Sequence, residues 1–170
     1  MSDELRIHEA YQRGDLAALK DLLGDPPDFP NCRSPQGIGE IILEYAIYWS
    51  PLLFIRRLLE LGADVNYHDP AGFPSLMAAL STKRADKHEL LALLLSFGAE
   101  VRQRGINDYT PLHYAAALDD VNAIELLLSY GADPNARTNI DDYATPLEEA
   151  ENLKRAKAAQ ALRKFVSGSV

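Results

Sequence analysis

A single cysteine, a deficit of basic charge and the want of any long apolar run set the first limits on this 170-residue chain. Cys32 alone forms no internal disulfide and supplies no four-cysteine zinc site, and the expected home is a reducing compartment, the cytoplasm. Lysine and arginine number 17 against 25 aspartates and glutamates, a net charge of −8, so the positive field that draws in a phosphate backbone or an anionic lipid surface is missing. The most apolar stretches, 41–49 and 90–97, fall well short of the roughly 18 residues of a bilayer span. Met1-Ser2-Asp3-Glu4 is acidic, and Arg6 and His8 interrupt the apolar residues that follow, which is not the order of a secretory signal. No Gly-rich phosphate loop is present, and neither His68 nor His88 has a second histidine at metal-ligand spacing. No cofactor or metal is expected. What the chain does have is 47% apolar and 25% charged residues, enough for one domain with a sizeable core.

It also repeats itself. Gly62-Ala63-Asp64-Val65-Asn66 returns as Gly98-Ala99-Glu100-Val101 and as Gly131-Ala132-Asp133-Pro134-Asn135. Each copy directly follows a leucine-rich helix end, Leu58-Leu59, Leu93-Leu94-Leu95 or Leu126-Leu127-Leu128, and each glycine falls where a left-handed residue ends a helix. Upstream of the third copy, Thr110-Pro111-Leu112-His113-Tyr114-Ala115 reads as an N-cap, a first-turn proline and an alanine-rich helix. With this T-P-L-H-x-A signature the chain resembles an ankyrin-repeat protein, a family whose period is about 33 residues.

Aligned on the histidine of that signature, His8, Glu44, Met77, His113 and Glu148 mark five units, at about 1–34, 35–67, 68–103, 104–137 and 138–170, in one domain spanning 1–170. The resemblance implies an all-α solenoid of helix-turn-helix units joined through short extended hairpin tips, with weaker terminal units acting as caps. Thr145-Pro146-Leu147-Glu148 has the residues of a capping box, Asp86-Lys87-His88-Glu89 offers a similar start, and Ser50-Pro51 opens another helix in the same way. Ile41-Ile42 in place of Thr-Pro, the reversed Pro74-Ser75, and Asp119 where the inter-helix glycine usually stands predict fraying or displaced boundaries. Ala10, Ala46, Ala79, Ala115 and Ala150 recur at one helical phase and let first helices pack closely.

The resemblance gives His8 and His113 a structural role, tying a cap to neighbouring backbone. Cys32 has Arg33 beside it to lower its pKa but carries no signature of a catalytic thiol. The basic residues Lys154, Arg155, Lys157, Arg163 and Lys164 accompany Leu153, Ala158, Ala161, Leu162 and Phe165 at three- or four-residue spacing, which predicts a capping helix with one solvated face. With no assembled nucleophile, base or metal cluster, the chain is expected not to be an enzyme.

The family's usual binding surface is a concave groove made of the tips and the exposed side of the first helices. Carried over position by position, it takes in Ile38, Glu40, Tyr48 and Trp49, then His68, Ala71, Phe73, Ser81 and Thr82. Further along come Arg104, Ile106, Asn107, Tyr109 and Leu118, and finally Asp141, Asp142 and Asn152. Tyr48, Trp49, Phe73, Tyr109 and Leu118 are large and apolar, of the kind that anchors protein interfaces. Tyr48 and Trp49 have the alternative of packing under the 26–39 segment, and the patch that of a homodimer contact. The function expected is non-catalytic protein binding by a monomer. Asp119, Asp120, Asp141 and Asp142 form an acidic rim suited to a basic partner. Alternatives are a neutralising protein that covers a toxin or enzyme, and nucleic-acid binding through the last helix.

Overall fold

A computed structural model describes residues 2–33, 41–68, 72–139 and 143–167. Among the described residues lie ten α-helices in five successive pairs: α1 (Asp3–Arg13) with α2 (Leu16–Leu22), α3 (Ile42–Trp49) with α4 (Leu52–Glu60), α5 (Ser75–Ser81) with α6 (Lys87–Ser96), α7 (Pro111–Ala117) with α8 (Val121–Ser129), and α9 (Pro146–Asn152) with α10 (Ala156–Ser167). First helices pack in the order α1, α3, α5, α7, α9, and each second helix packs against the first helix of its own pair. Ala46, Ala79, Ala115 and Ala150 are wholly buried and Ala10 nearly so. This row of methyl groups lets neighbouring first helices approach, and the leucines of α4, α6 and α8 fill the layer behind them.

Helix ends follow the local chemistry. Thr110 and Thr145 each close a capping box, with His113 and Glu148 at the third helical position. Gly62, Gly98 and Gly131 take φ of 90°, 88° and 83°. A Cβ there would meet nothing within 4 Å, so backbone conformation alone selects glycine. Gly105 is required for a different reason: a side chain there would collide with the Gly72 carbonyl and the Met77 thioether, where two successive tips cross.

The departures from the repeat pattern have physical consequences. Ile41 and Pro74 stand at N-cap positions with no side-chain cap, and the Oγ of Ser75 is buried without a hydrogen-bond partner. Asp119 itself adopts the left-handed conformation, φ 58°, and its carboxylate accepts the Ala158 N–H at 2.8 Å near the start of α10. Two expected caps are corrected. Ser50 does not cap α4: Pro51 takes the N-cap position, and the Ser50 Oγ is buried without a partner. Asp86 precedes α6 without capping it, because the Arg84 guanidinium grips both carboxylate oxygens at 2.7 and 2.8 Å. The hydrogen bonds from Arg84 hold that carboxyl below the usual range.

The tips contain no β-strand among the described residues. They are held by single backbone bonds, Gly105 N–H to the Tyr109 carbonyl at 3.0 Å and Thr138 N–H to the Ala144 carbonyl at 3.1 Å. Among the described residues one backbone-to-backbone bond joins successive tips, Ile106 N–H to the Gly72 carbonyl at 2.8 Å. No helix among the described residues is long and apolar enough to cross a membrane.

Candidate partner-binding site

The exposed side of the first helices can be read in rows, one residue per unit. Tyr45, the wholly buried Ala78, Tyr114 and Glu149 stand at the fourth helical position, and Glu9 holds the matching place one turn further into α1. One turn on stand Gln12, Tyr48, Ser81, Ala117 and Asn152, followed by Arg13, Trp49, Thr82, Leu118 and Leu153. Aromatic residues therefore stand on α3 and again on α7, separated by the small side chains of α5.

Trp49 ends α3 and is 52% exposed. Its indole is braced rather than covered: His8 meets it edge to face, centroids 5.4 Å apart, and Tyr45 lies tilted at 6.3 Å. His8 in turn shares a 2.6 Å hydrogen bond between its Nδ1 and the Tyr45 hydroxyl. The expected capping role of His8 is thereby corrected. The helix α1 begins a turn earlier, at a Ser2 cap, so His8 sits in mid-helix and faces α3. Tyr48 is half-buried, with its hydroxyl 3.2 Å from Ser81 Oγ. Since Ser81 donates to the Ala78 carbonyl at 2.8 Å, Tyr48 is the donor. Thr82 turns its hydroxyl onto the Ala79 carbonyl.

On the fourth unit Leu118 caps α7 and is 44% exposed. Phe73, half-buried, meets Tyr114 edge to face at 6.2 Å. Tyr109 stacks on His113 at 5.6 Å and 19°, and donates its hydroxyl proton to Glu149 across the junction between units. Ile106 and Asn107 are exposed at the tip, Asn107 in the left-handed region at φ 54°. Arg104 is committed to internal contacts, donating to Asp108 Oδ2 at 2.7 Å and to the Arg137 carbonyl at 2.9 Å. His68 and Asn152 are exposed. The expected positions Ile38, Glu40, Ala71, Asp141 and Asp142 lie outside the described residues.

Sequence reasoning missed Tyr45 and Tyr114, which stand four residues before Trp49 and Leu118 and complete the two aromatic clusters. The signal was their helical phase, since residues four apart share a face.

Other polar groups have structural assignments. His113 is buried, and burial chiefly pushes its pKa down. Its Nδ1 accepts the Thr110 N–H at 3.3 Å, so Nε2 carries the proton donated to the Ala144 carbonyl at 3.0 Å. Asp119 and Asp120 do not make an open acidic rim: Asp119 caps α10, and the Asp120 side chain is only 10% exposed. Asp120 caps α8 through the Ala123 N–H, pairs with Lys87 at 2.5 Å and bonds His88 at 2.8 Å. Burial opposes its charge, but the bonds from Lys87, His88 and Ala123 prevail and hold the carboxyl below its ordinary pKa. Cys32 is buried, and that burial raises its thiol pKa, overturning the expected effect of Arg33. On α10, Ala158, Ala159 and Leu162 are buried while Phe165, like Leu153 at the end of α9, stays over 40% exposed. Two of the basic cluster on and before α10 are engaged, Arg155 on the Ala117 carbonyl and Arg163 on Glu151.

A family model described as ankyrin repeats, in three copies, matches residues 43–138 and 76–164. The chain belongs to the ankyrin-repeat family. Ankyrin repeats generally mediate protein-protein interactions. Among similar proteins, an intracellular phospholipase A2 of Caenorhabditis elegans is 31% identical over 86% of this chain and 14% of its own length. The human BCL-6 corepressor-like protein 1 is 33% identical over 76% of this chain and 7% of its own. An ankyrin repeat protein of fowlpox virus, FPV031, is 33% identical over 56% of the chain and 28% of its own length. The chain thus spans under a third of each of these relatives.

Proposed function

We propose that this ankyrin-repeat stack is a non-catalytic binding module whose concave side, from Trp49 across α5 to Leu118, receives a partner protein. One observation carries the reading. Trp49 stands half in solvent at a position that nothing in the fold requires to be aromatic, yet two further rings hold it in place. A braced, exposed indole loses little side-chain entropy on docking and buries a large apolar area, the properties of an interface anchor. The bracing also supports a pre-formed surface, since Tyr48 is fixed on Ser81 and Tyr109 on Glu149 before any partner arrives.

The test is co-purification from native extract with wild-type and Trp49→Ala chains, read by mass spectrometry. Loss of an exposed hot-spot indole is expected to weaken the partner by more than about 2 kcal/mol, with little change in melting temperature. Equal recovery of the same proteins by both chains refutes the groove as the binding surface.

A further inference from the structure

The back of the stack, behind the concave side, has a furrow of its own. It runs between α8 and α10 and measures about 450 Å³. Ile124 and Leu128, both buried, form its floor, and Ala161 and Phe165 of α10 its far wall. The furrow is open because α10 is thin there: its sixth residue is Ala161, where the sixth residue of α8 is Leu126. Phe165 and the Val166 that follows it are each 41% exposed, and Tyr130, just past α8, is 46% exposed. Apolar surface gathered in this way marks a contact site.

The charges at its rim say what the furrow fits. Glu125 stands on the α8 wall and Lys164 on the α10 wall. Both are exposed, and neither pairs with another described residue. The other cations of α10 are directed elsewhere, Arg163 to Glu151 and Lys157 into a separate depression beside Leu118. An occupant of one sign would match one wall and be repelled by the other. A twofold contact, by contrast, uses the same patch on both molecules and needs that patch to complement itself. This one does, with acid on one wall, base on the other, and a protruding ring beside a hollow.

We propose that the furrow is filled by a second copy of this chain related by a twofold axis, with Phe165 of each molecule set over Ala161 and Leu128 of the other and Glu125 of each facing Lys164 of the other. A monomer is the expectation from the sequence, and the self-complementary furrow is the reason for departing from it. The contact does not depend on the concave side, which stays open in both copies. The pair therefore offers two docking grooves and holds a partner that is itself paired with added avidity.

Sedimentation velocity of the full chain, from low to high micromolar concentration, tests this. Wild type is expected to pass from monomer to dimer as concentration rises. Glu125→Lys and Lys164→Glu are each expected to weaken the dimer about ten-fold or more, because symmetry counts every substitution twice. An equimolar mixture of the two variants is expected to form a mixed dimer at close to wild-type strength, since each then faces its opposite again. Ala161→Leu, which gives α10 the leucine of α8 and fills part of the furrow, is expected to weaken the dimer several-fold without lowering the melting temperature. Trp49→Ala is expected to leave it unchanged. A chain that stays monomeric over the whole range would overturn the proposal. So would a dimer that survives both charge reversals, or one lost in Trp49→Ala, which would place the contact on the concave side.

Discussion

The junction between the second and third units and the one between the third and fourth solve the same problem with different chemistry. At the former, Asn66 reaches across: its amide donates to the Gly98 carbonyl at 3.0 Å and its oxygen accepts the Glu100 N–H at 2.8 Å. Asn31 makes the same pair of bonds one unit earlier, to Gly62 and Asp64. At the latter the equivalent residue is Arg102, which is exposed and makes no such staple. Instead Lys87 and His88 of α6 converge on the largely buried carboxylate of Asp120 at the start of α8. A neutral staple depends on geometry alone, whereas a charged cluster depends on protonation and salt. The stack is built from interchangeable units, yet its joints are unlike, and in a solenoid the weakest joint decides where opening begins.

The largest expected effect is at the buried layer behind the fourth unit. Leu127 is fully buried, and Leu127→Ala is expected to cost about 2–5 kcal/mol. Amide exchange should rise first in α7 to α10, and a uniform rise along the chain would deny that the joints differ. Asp120→Ala removes a cap and strands the partly buried Lys87, so a loss of about 2–3 kcal/mol is expected in a denaturant melt. High salt should narrow the gap between wild type and this variant. The staple is worth less: Asn66→Ala is expected to cost about 1 kcal/mol, and Arg102→Asn to gain up to about that much by supplying the missing bonds. A destabilising Arg102→Asn would show that the third joint is shaped differently from the second.

Acid supplies the smallest and most selective probe. The His113 pKa is depressed by burial, so between its folded value and the ordinary 6.5 the unfolded chain binds the extra proton. Its contribution is whole above about pH 6.5 and is lost as pH falls through that value toward the folded one. Melting curves from pH 7 to 5 should drop less steeply in His113→Gln than in wild type, from a lower starting point, whereas Asn66→Ala should leave the slope unchanged.

The repeat, the helix pairs, the glycine stops and the caps at Thr110 and Thr145 were all readable in the sequence, because each depends on residues within a few positions of one another. What escaped was decided by partners far along the chain. Asp86 has the right spacing for a cap, but Arg84 competes for it while also donating to the Ser50 carbonyl at 2.5 Å. His8 fits the signature position, yet an extra helical turn before it turns the ring toward Tyr45. Asn31 lies in a proline-rich stretch with no motif, and only the stacking of units reveals it as the first staple. At the groove, candidate positions were chosen by register, but the positions carried over left out the row of Tyr45 and Tyr114, both half-buried. Their part in the surface appears only once the neighbouring α5 is seen to offer nothing larger there than Ala78, Ser81 and the Thr82 that follows it.

Among the described helices the negative charge gathers on α9 and the positive charge on α10, which gives the last pair a permanent electrical polarity. A positively charged object drifting near it feels a torque before it feels any atom, and is swung toward the hollow side rather than the back. Orientation would then be settled at a distance, in dilute salt, leaving the rings to discriminate only among arrivals already facing the right way.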